Sequence, residues 1–187
     1  MNEKHHDSLK QYLNDMIGLE RDIANAVKIQ TEDERLLAFG ELKAVLDQIV
    51  HNGEARLEVL KRISEEEGGA LGAAVKEGIT AITGTLAGIY GKMREHPVSR
   101  MVRDDIVALE VASVSYGMLL TLGLSIGHRE CVVIAEQGIE QLPGLIVELT
   151  DLLPTIVGAE LSGDAPLVNP AAVQIAQASI RAAWKNS

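Results

Sequence analysis

Apolar residues recur every three or four positions through most of this chain, the period of helices that bury one face. Leu9, Leu13, Met16, Ile23 and Val27 follow that spacing in a first helix that Asp7 or Ser8 can cap and that runs to about Gln30. The one acidic member of the series is Glu20, on the buried stripe between Met16 and Ile23. Thr31 with Glu34 forms a capping-box pattern, which predicts a second helix from there to about Glu67. Leu42, Leu46, Ile49, Val50, Gly53, Leu57 and Leu60 line its inner face, with Glu54 at the edge and His51 further round. Residues 70–95 read as a third helix with a stripe through Leu71, Val75, Ile79, Ile82, Leu86, Ile89 and Met93, flanked by Gly84, Gly88 and Gly91.

The remaining segments are less amphipathic. A fourth helix is expected from about Ser99 to Gly127, and its run "DIVALEVASVSYGMLLTLGLSIG" is apolar or small on nearly every side. Ile106, Glu110, Ser113, Gly117, Leu120 and Leu124 share one face, which points the Glu110 carboxylate inward. The fifth helix is expected to end near Leu153, before Pro154, with a kink at Pro143. Val132, Ala135, Ile139 and Ile146 form its face, bordered by Glu136. Residues 161–170 read as a loop. Asn169 and Pro170 then suit the start of a short last helix that docks through Val173, Ala176, Ile180 and Trp184.

No segment alternates at period two, so the fold class is all-α. Two long helices, a crossing helix, two more long helices and a tail make a four-helix bundle over residues 1–160, with one long crossover between its second and third helices. Residues 161–187 form a C-terminal loop and short docking helix. The fourth helix is long enough to cross a membrane. Its scattered Glu110, Ser113, Ser115, Thr121 and Ser125, and the charged outer faces elsewhere, favour the packed interior of a bundle instead.

Composition adds three limits. A net charge of −10 without a basic patch argues against nucleic-acid binding. The lone Cys131 forms no intrachain disulfide and reads as a buried structural thiol; with no apolar leader in "MNEKHHDSLK", the cytoplasm is the expected location. His5 and His6 read as a flexible terminus, and His128 as a capping or loop residue at a helix junction.

A buried carboxylate needs a cation, a proton or a metal. Glu20, Glu54, Glu110 and Glu136 are expected to converge from four helices, with His51 as an outer ligand. Such hard oxygen donors suit iron or manganese, and with them dioxygen activation or iron(II) oxidation.

Three segments also resemble a known family. "QYLNDMIGLERDI" at 11–23, "KEGI" at 76–79 and "YGMLLTLGLSIG" at 116–127 are similar to segments of the ferritin-like superfamily, and within it the bacterial stress-associated YciF-type family. The resemblance spans roughly residues 8–153. It implies a ferritin-like bundle with Glu20 at a family glutamate. Leu109, Glu110 and Ala112 stand where the family has Glu, His and Glu, and Glu140, Gln141 and Leu142 fall near its paired glutamates. The expectation is therefore a stress-associated or structural homo-oligomer with a degenerate or altered metal site. Its subunit contacts would be the glycine-flanked crossing helix and the Trp184 tail. The alternative is a carboxylate-bridged di-iron or di-manganese oxidase or storage protein. A third reading is an adaptor for a partner or membrane, which would expose the apolar fourth helix.

Overall fold

The computed structural model describes residues 3–68 and 97–185, and within them it is all-helical. Helix α1 is Glu3–Thr31, α2 Gly40–Glu66, α3 Val98–Ile126, α4 Arg129–Asp164 and α5 Ala172–Lys185, with a 3-10 turn at Glu34–Ala38. The helix expected over 70–95 lies outside the described residues.

The sequence stripes of α1 and α2 are the core. Leu9, Leu13, Met16, Glu20, Ile23 and Val27 are all buried, as are Leu42, Leu46, Ile49, Gly53, Leu57 and Leu60. The turn between these helices differs from expectation. Thr31 ends α1, its hydroxyl donating to the Lys28 carbonyl, and forms no capping box. Asp33 caps instead: its carboxylate accepts the Arg35 backbone N–H at 2.9 Å and the Arg35 guanidinium. The Arg35 hydrogen bond favours the ionised form and holds the Asp33 carboxyl below its ordinary pKa.

Helix α3 buries Val102, Asp105, Ala108, Leu109, Ala112, Tyr116, Leu119 and Gly123. This is a different face from the one expected. Ile106, Ser113, Gly117 and Leu120 are only partly buried, and Glu110 and Leu124 are exposed. A helix that is apolar all round carries no periodic signal to set its rotation. The turn that follows is as read: Gly127 adopts φ +70°, and the His128 N–H returns to the Gly123 carbonyl at 2.9 Å.

Helix α4 runs through both Pro143 and Pro154 and ends at Asp164, eleven residues beyond the expected Leu153. An internal proline removes a helical N–H at a cost of about 3 kcal/mol or more. Burial of Leu149, Ile156 and Gly158 around Pro154 offsets it. Helix α5 folds back on this extension. Arg181 pairs with Asp151 at 2.5 and 2.6 Å, and Gly158 leaves room for Val173. Val173, Ala176 and Ile180 are partly buried as expected, while Trp184 is exposed.

Four contacts establish the helix directions. Gln30, at the end of α1, donates to Asp105 near the start of α3 at 2.9 Å. At the other pole, Arg62 meets Glu130 and His128 meets Glu67. The Ser99 N–H and hydroxyl donate to Glu160, tying the start of α3 to the far part of α4. Helices α2 and α3 therefore run the same way. Gly68 and Pro97, which residues 69–96 join, lie at opposite poles of a bundle about 40 Å long. By length and composition alone, α3 and α4 would each reach across a membrane.

Candidate functional site: a four-helix polar centre

The stripe of α1 carries one carboxylate into the core, and the stripe of α2 carries one guanidinium. Ile49, Gly53, Arg56, Leu60 and Ile63 recur at four- and three-residue spacing, so Arg56 occupies a core position. Glu20 and Arg56 are 0% and 1% exposed. Arg56 Nε donates to Glu20 Oε1 at 2.7 Å and Nη2 donates to Oε2 at 3.1 Å, a two-pronged pairing. The other hairpin completes the group. The hydroxyl of buried Tyr116, on α3, donates to Glu20 Oε1 at 2.6 Å. Arg56 Nη1 donates to Gln141 Oε1, on α4, at 2.7 Å. The Arg56 guanidinium carbon also lies 5.9 Å from the centre of the Tyr116 ring.

Two glycines make room for this cluster. A Cβ on Gly53 would come within 3.2 Å of Glu20 Oε2. A Cβ on Gly138 would lie 2.6 Å from Cγ and Cε2 of the Tyr116 ring, closer than packed atoms allow. The larger residues that helix propensity favours at these positions would displace the cluster.

The electrostatics are those of a closed ion pair. Burial lowers the Arg56 pKa, but the hydrogen bonds and charge of Glu20 outweigh it, so the guanidinium is held more firmly protonated than usual. Burial and then the charge of Glu20 push Tyr116 well above the ordinary phenol range, so its hydroxyl remains a donor.

The structure brings Glu20 alone, of the expected donor set, into the interior. Glu54 is exposed and pairs with Lys28 on α1 at 3.3 Å. His51, Glu110 and Glu136 are exposed, each on the outer side of its own helix. The convergence of four carboxylates is thus corrected: Glu54 and Glu136 lie one turn-step past the buried positions Gly53 and Ala135, and the rotation of α3 turns Glu110 out. Among the described residues, no three of His, Cys, Asp and Glu are grouped to hold a metal ion. A divalent cation beside Glu20 would also face the Arg56 guanidinium across a dry core. Among the described residues, the groups around Glu20 do not fit a dinuclear carboxylate site.

Arg56, Tyr116 and Gln141 escaped the sequence reading as site residues. Arg56 was detectable, since a charged residue on the α2 stripe is as anomalous as Glu20 on that of α1. Tyr116 and Gln141 were not, because nothing in their local pattern distinguishes them from ordinary bundle residues.

A second polar cluster closes one pole of the bundle. His128 caps α4 by accepting the Cys131 N–H at its Nδ1, at 3.2 Å, while its Nε2 lies 3.1 Å from Glu67. His6 of α1 meets the other oxygen of the same carboxylate at 3.3 Å, so this part of the expected flexible terminus is tied to α2. Cys131 is buried as expected. Burial, then the charges of Glu67 and Glu130, push its thiol up to about 12, which leaves it inert as a nucleophile near neutral pH.

No protein-family model, curated protein or solved structure matches this chain.

Proposed function

We propose that this chain is a ferritin-like helical bundle of structural or stress-associated type, in which Arg56 supplies the positive charge that a metal would otherwise bring to Glu20. The observation that carries this reading is the complete engagement of the Glu20 carboxylate: Arg56 takes both oxygens, and Tyr116 takes one of them again. The parallel course of α2 and α3, with a connection spanning opposite poles, supports the ferritin-like part, since one long crossover is that fold's connectivity. The similarity of residues 11–23 and 116–127 to the YciF-type family points the same way. Glu20 and Tyr116, which contact each other here, both fall in those segments.

On this reading the centre binds no substrate and performs no reaction. Its role is to specify how the hairpins dock. An ion pair closed within α1–α2 offers one acceptor to Tyr116 and one donor to Gln141, and a slipped α3–α4 hairpin would leave a buried charge short of a partner. Buried ionic groups in other bundles set register in this way. The inert Cys131 suits a reducing compartment, and the cytoplasm is the proposed location.

The test is elemental analysis of protein purified after growth in iron- or manganese-supplemented medium. The reading expects far less than one metal per chain and a melting temperature unchanged by chelator. One or two equivalents per chain, lost in Glu20→Gln, would establish the metal-oxidase or storage alternative instead.

A further inference from the structure

Three helices meet at the pole where α2 ends, and each sends a titratable side chain to one spot. Glu67 closes α2 as its C-cap and offers one oxygen to each of two histidines. His128 Nε2 lies 3.1 Å from Oε1, and His6 Nδ1, from α1, lies 3.3 Å from Oε2. All three side chains are partly shielded, His128 most of all at 16% exposed. The tautomer of His128 follows from its other nitrogen. Nδ1 accepts the Cys131 N–H at 3.2 Å, so it carries no proton of its own. The neutral ring therefore bears its proton on Nε2 and donates it to Glu67.

We propose that this cluster is an acid-responsive clamp: protonation makes His128 give up the N-cap of α4 and draws both histidines onto Glu67 as charged partners. The proposal goes beyond the polar centre and does not depend on it. A second proton can enter the His128 ring only at Nδ1, where the Cys131 N–H already points. An imidazolium has two donors and no acceptor, so it cannot cap the helix. The same proton strengthens the bond to Glu67, because a charge-assisted hydrogen bond is about twice as strong as a neutral one. Protonation of His6 adds attraction at the other oxygen without that conflict. Acid thus loosens the first turn of α4 while it fastens the end of α2 to α1 and α4.

The surroundings leave histidine as the group that responds near neutral pH. Among the described residues, α2 brings Glu67 and, one turn earlier, Arg62, which pairs with Glu66 and Glu130. Helix α4 brings Arg129, Glu130 and the Cys131 thiol, which burial and the charges of Glu67 and Glu130 hold protonated. On α1, Glu3 and Lys10 flank His6 one turn to either side, and the last turn of α3 carries no charge. Carboxylates, guanidiniums and this thiol ordinarily keep one protonation state between about pH 7.5 and about pH 5, and histidines do not. A metal ion suits the cluster less well, since a proton fills the Nε2 position of His128 where a ligand needs a lone pair.

The experiment follows the full chain by nuclear magnetic resonance at about pH 7.5 and about pH 5. Side-chain nitrogen shifts are expected to show His128 as the Nε2–H tautomer at the higher pH and as imidazolium at the lower. The protection of the Cys131 amide, corrected for intrinsic exchange, is expected to fall about fivefold, the loss of a typical N-cap. The amides of Glu65, Glu66 and Glu67 are expected to gain protection over the same range. His128→Asn supplies a cap that does not titrate and should abolish the change at Cys131; His128→Ser repeats the test if the asparagine variant fails to fold. His6→Gln should keep the change at Cys131 and shrink the gain at the end of α2. An Nδ1–H tautomer at the higher pH, a Cys131 amide equally protected at both, no gain at the end of α2, or a His128→Asn variant that still responds would overturn the proposal. One equivalent of zinc bound at the two histidines would overturn it in favour of a metal site.

Discussion

The two hairpins of this bundle bury similar faces but differ in how much apolar surface they leave outside. Outside α2 stand Glu41, Asp47, His51, Glu54, Glu58, Lys61, Glu65 and Glu66. Outside α3 and α4, Val107, Val114, Met118, Leu124, Val133, Val147, Val157 and Leu161 stand among charges such as Arg103, Glu110, Glu136 and Glu148. The interior inverts the contrast. The hairpin with fewer apolar residues outside, α1–α2, carries the buried ion pair of Glu20 and Arg56, while α3–α4 supplies the neutral groups Tyr116 and Gln141. Position on the helix face, and not the greasiness of the surrounding sequence, decides where a charge is tolerated.

Substitutions can break that comparison, beginning with the ion pair. Arg56→Ala removes the cation from a carboxylate that has no access to water, and should cost about 3–5 kcal/mol in urea unfolding. Gly138→Ala acts from the other hairpin. It drives a methyl group into the Tyr116 ring, whose hydroxyl is already held by Glu20, and should cost about 1–3 kcal/mol with a changed near-ultraviolet dichroism of tyrosine. Tyr116→Phe withdraws one donor from Glu20 and leaves the ring packing intact, so it belongs at the lower end of about 1–3 kcal/mol. Glu110→Ala, the same residue type on the outer face, should stay within about 0.5 kcal/mol of wild type in the melting of dilute protein. A large loss there would contradict the outward rotation of α3.

The same contrast explains what could be read from sequence. In α1 and α2 the alternation of charged and apolar residues fixes which side faces in, so the core through Leu13, Met16, Ile49 and Leu60 is legible, and Glu20 with it. In α3 nearly every side is apolar. The existence and limits of the helix were legible from Ser99 and Gly127, but its rotation was not, and Glu110 was assigned to the wrong face. Rotation there is decided by a contact distant in sequence, the Tyr116 ring against Gly138. Proline misled at the end of α4, because the packing of Ile156 and Gly158, and of α5 upon them, offsets the local penalty at Pro154. Of the polar centre, Glu20 was visible, Arg56 was visible in principle, and their pairing was not, since it joins residues 36 positions apart.

The central claim is that Glu20 is satisfied by Arg56. A double-mutant cycle in urea with Glu20→Met, Arg56→Met and the pair together tests it most directly. The account predicts that each single change costs about 3–5 kcal/mol and that the double variant loses much less than their sum, because no buried charge is then left alone. Strictly additive losses, or a tolerant Arg56→Met beside a damaging Glu20→Met, would show that the carboxylate has another partner.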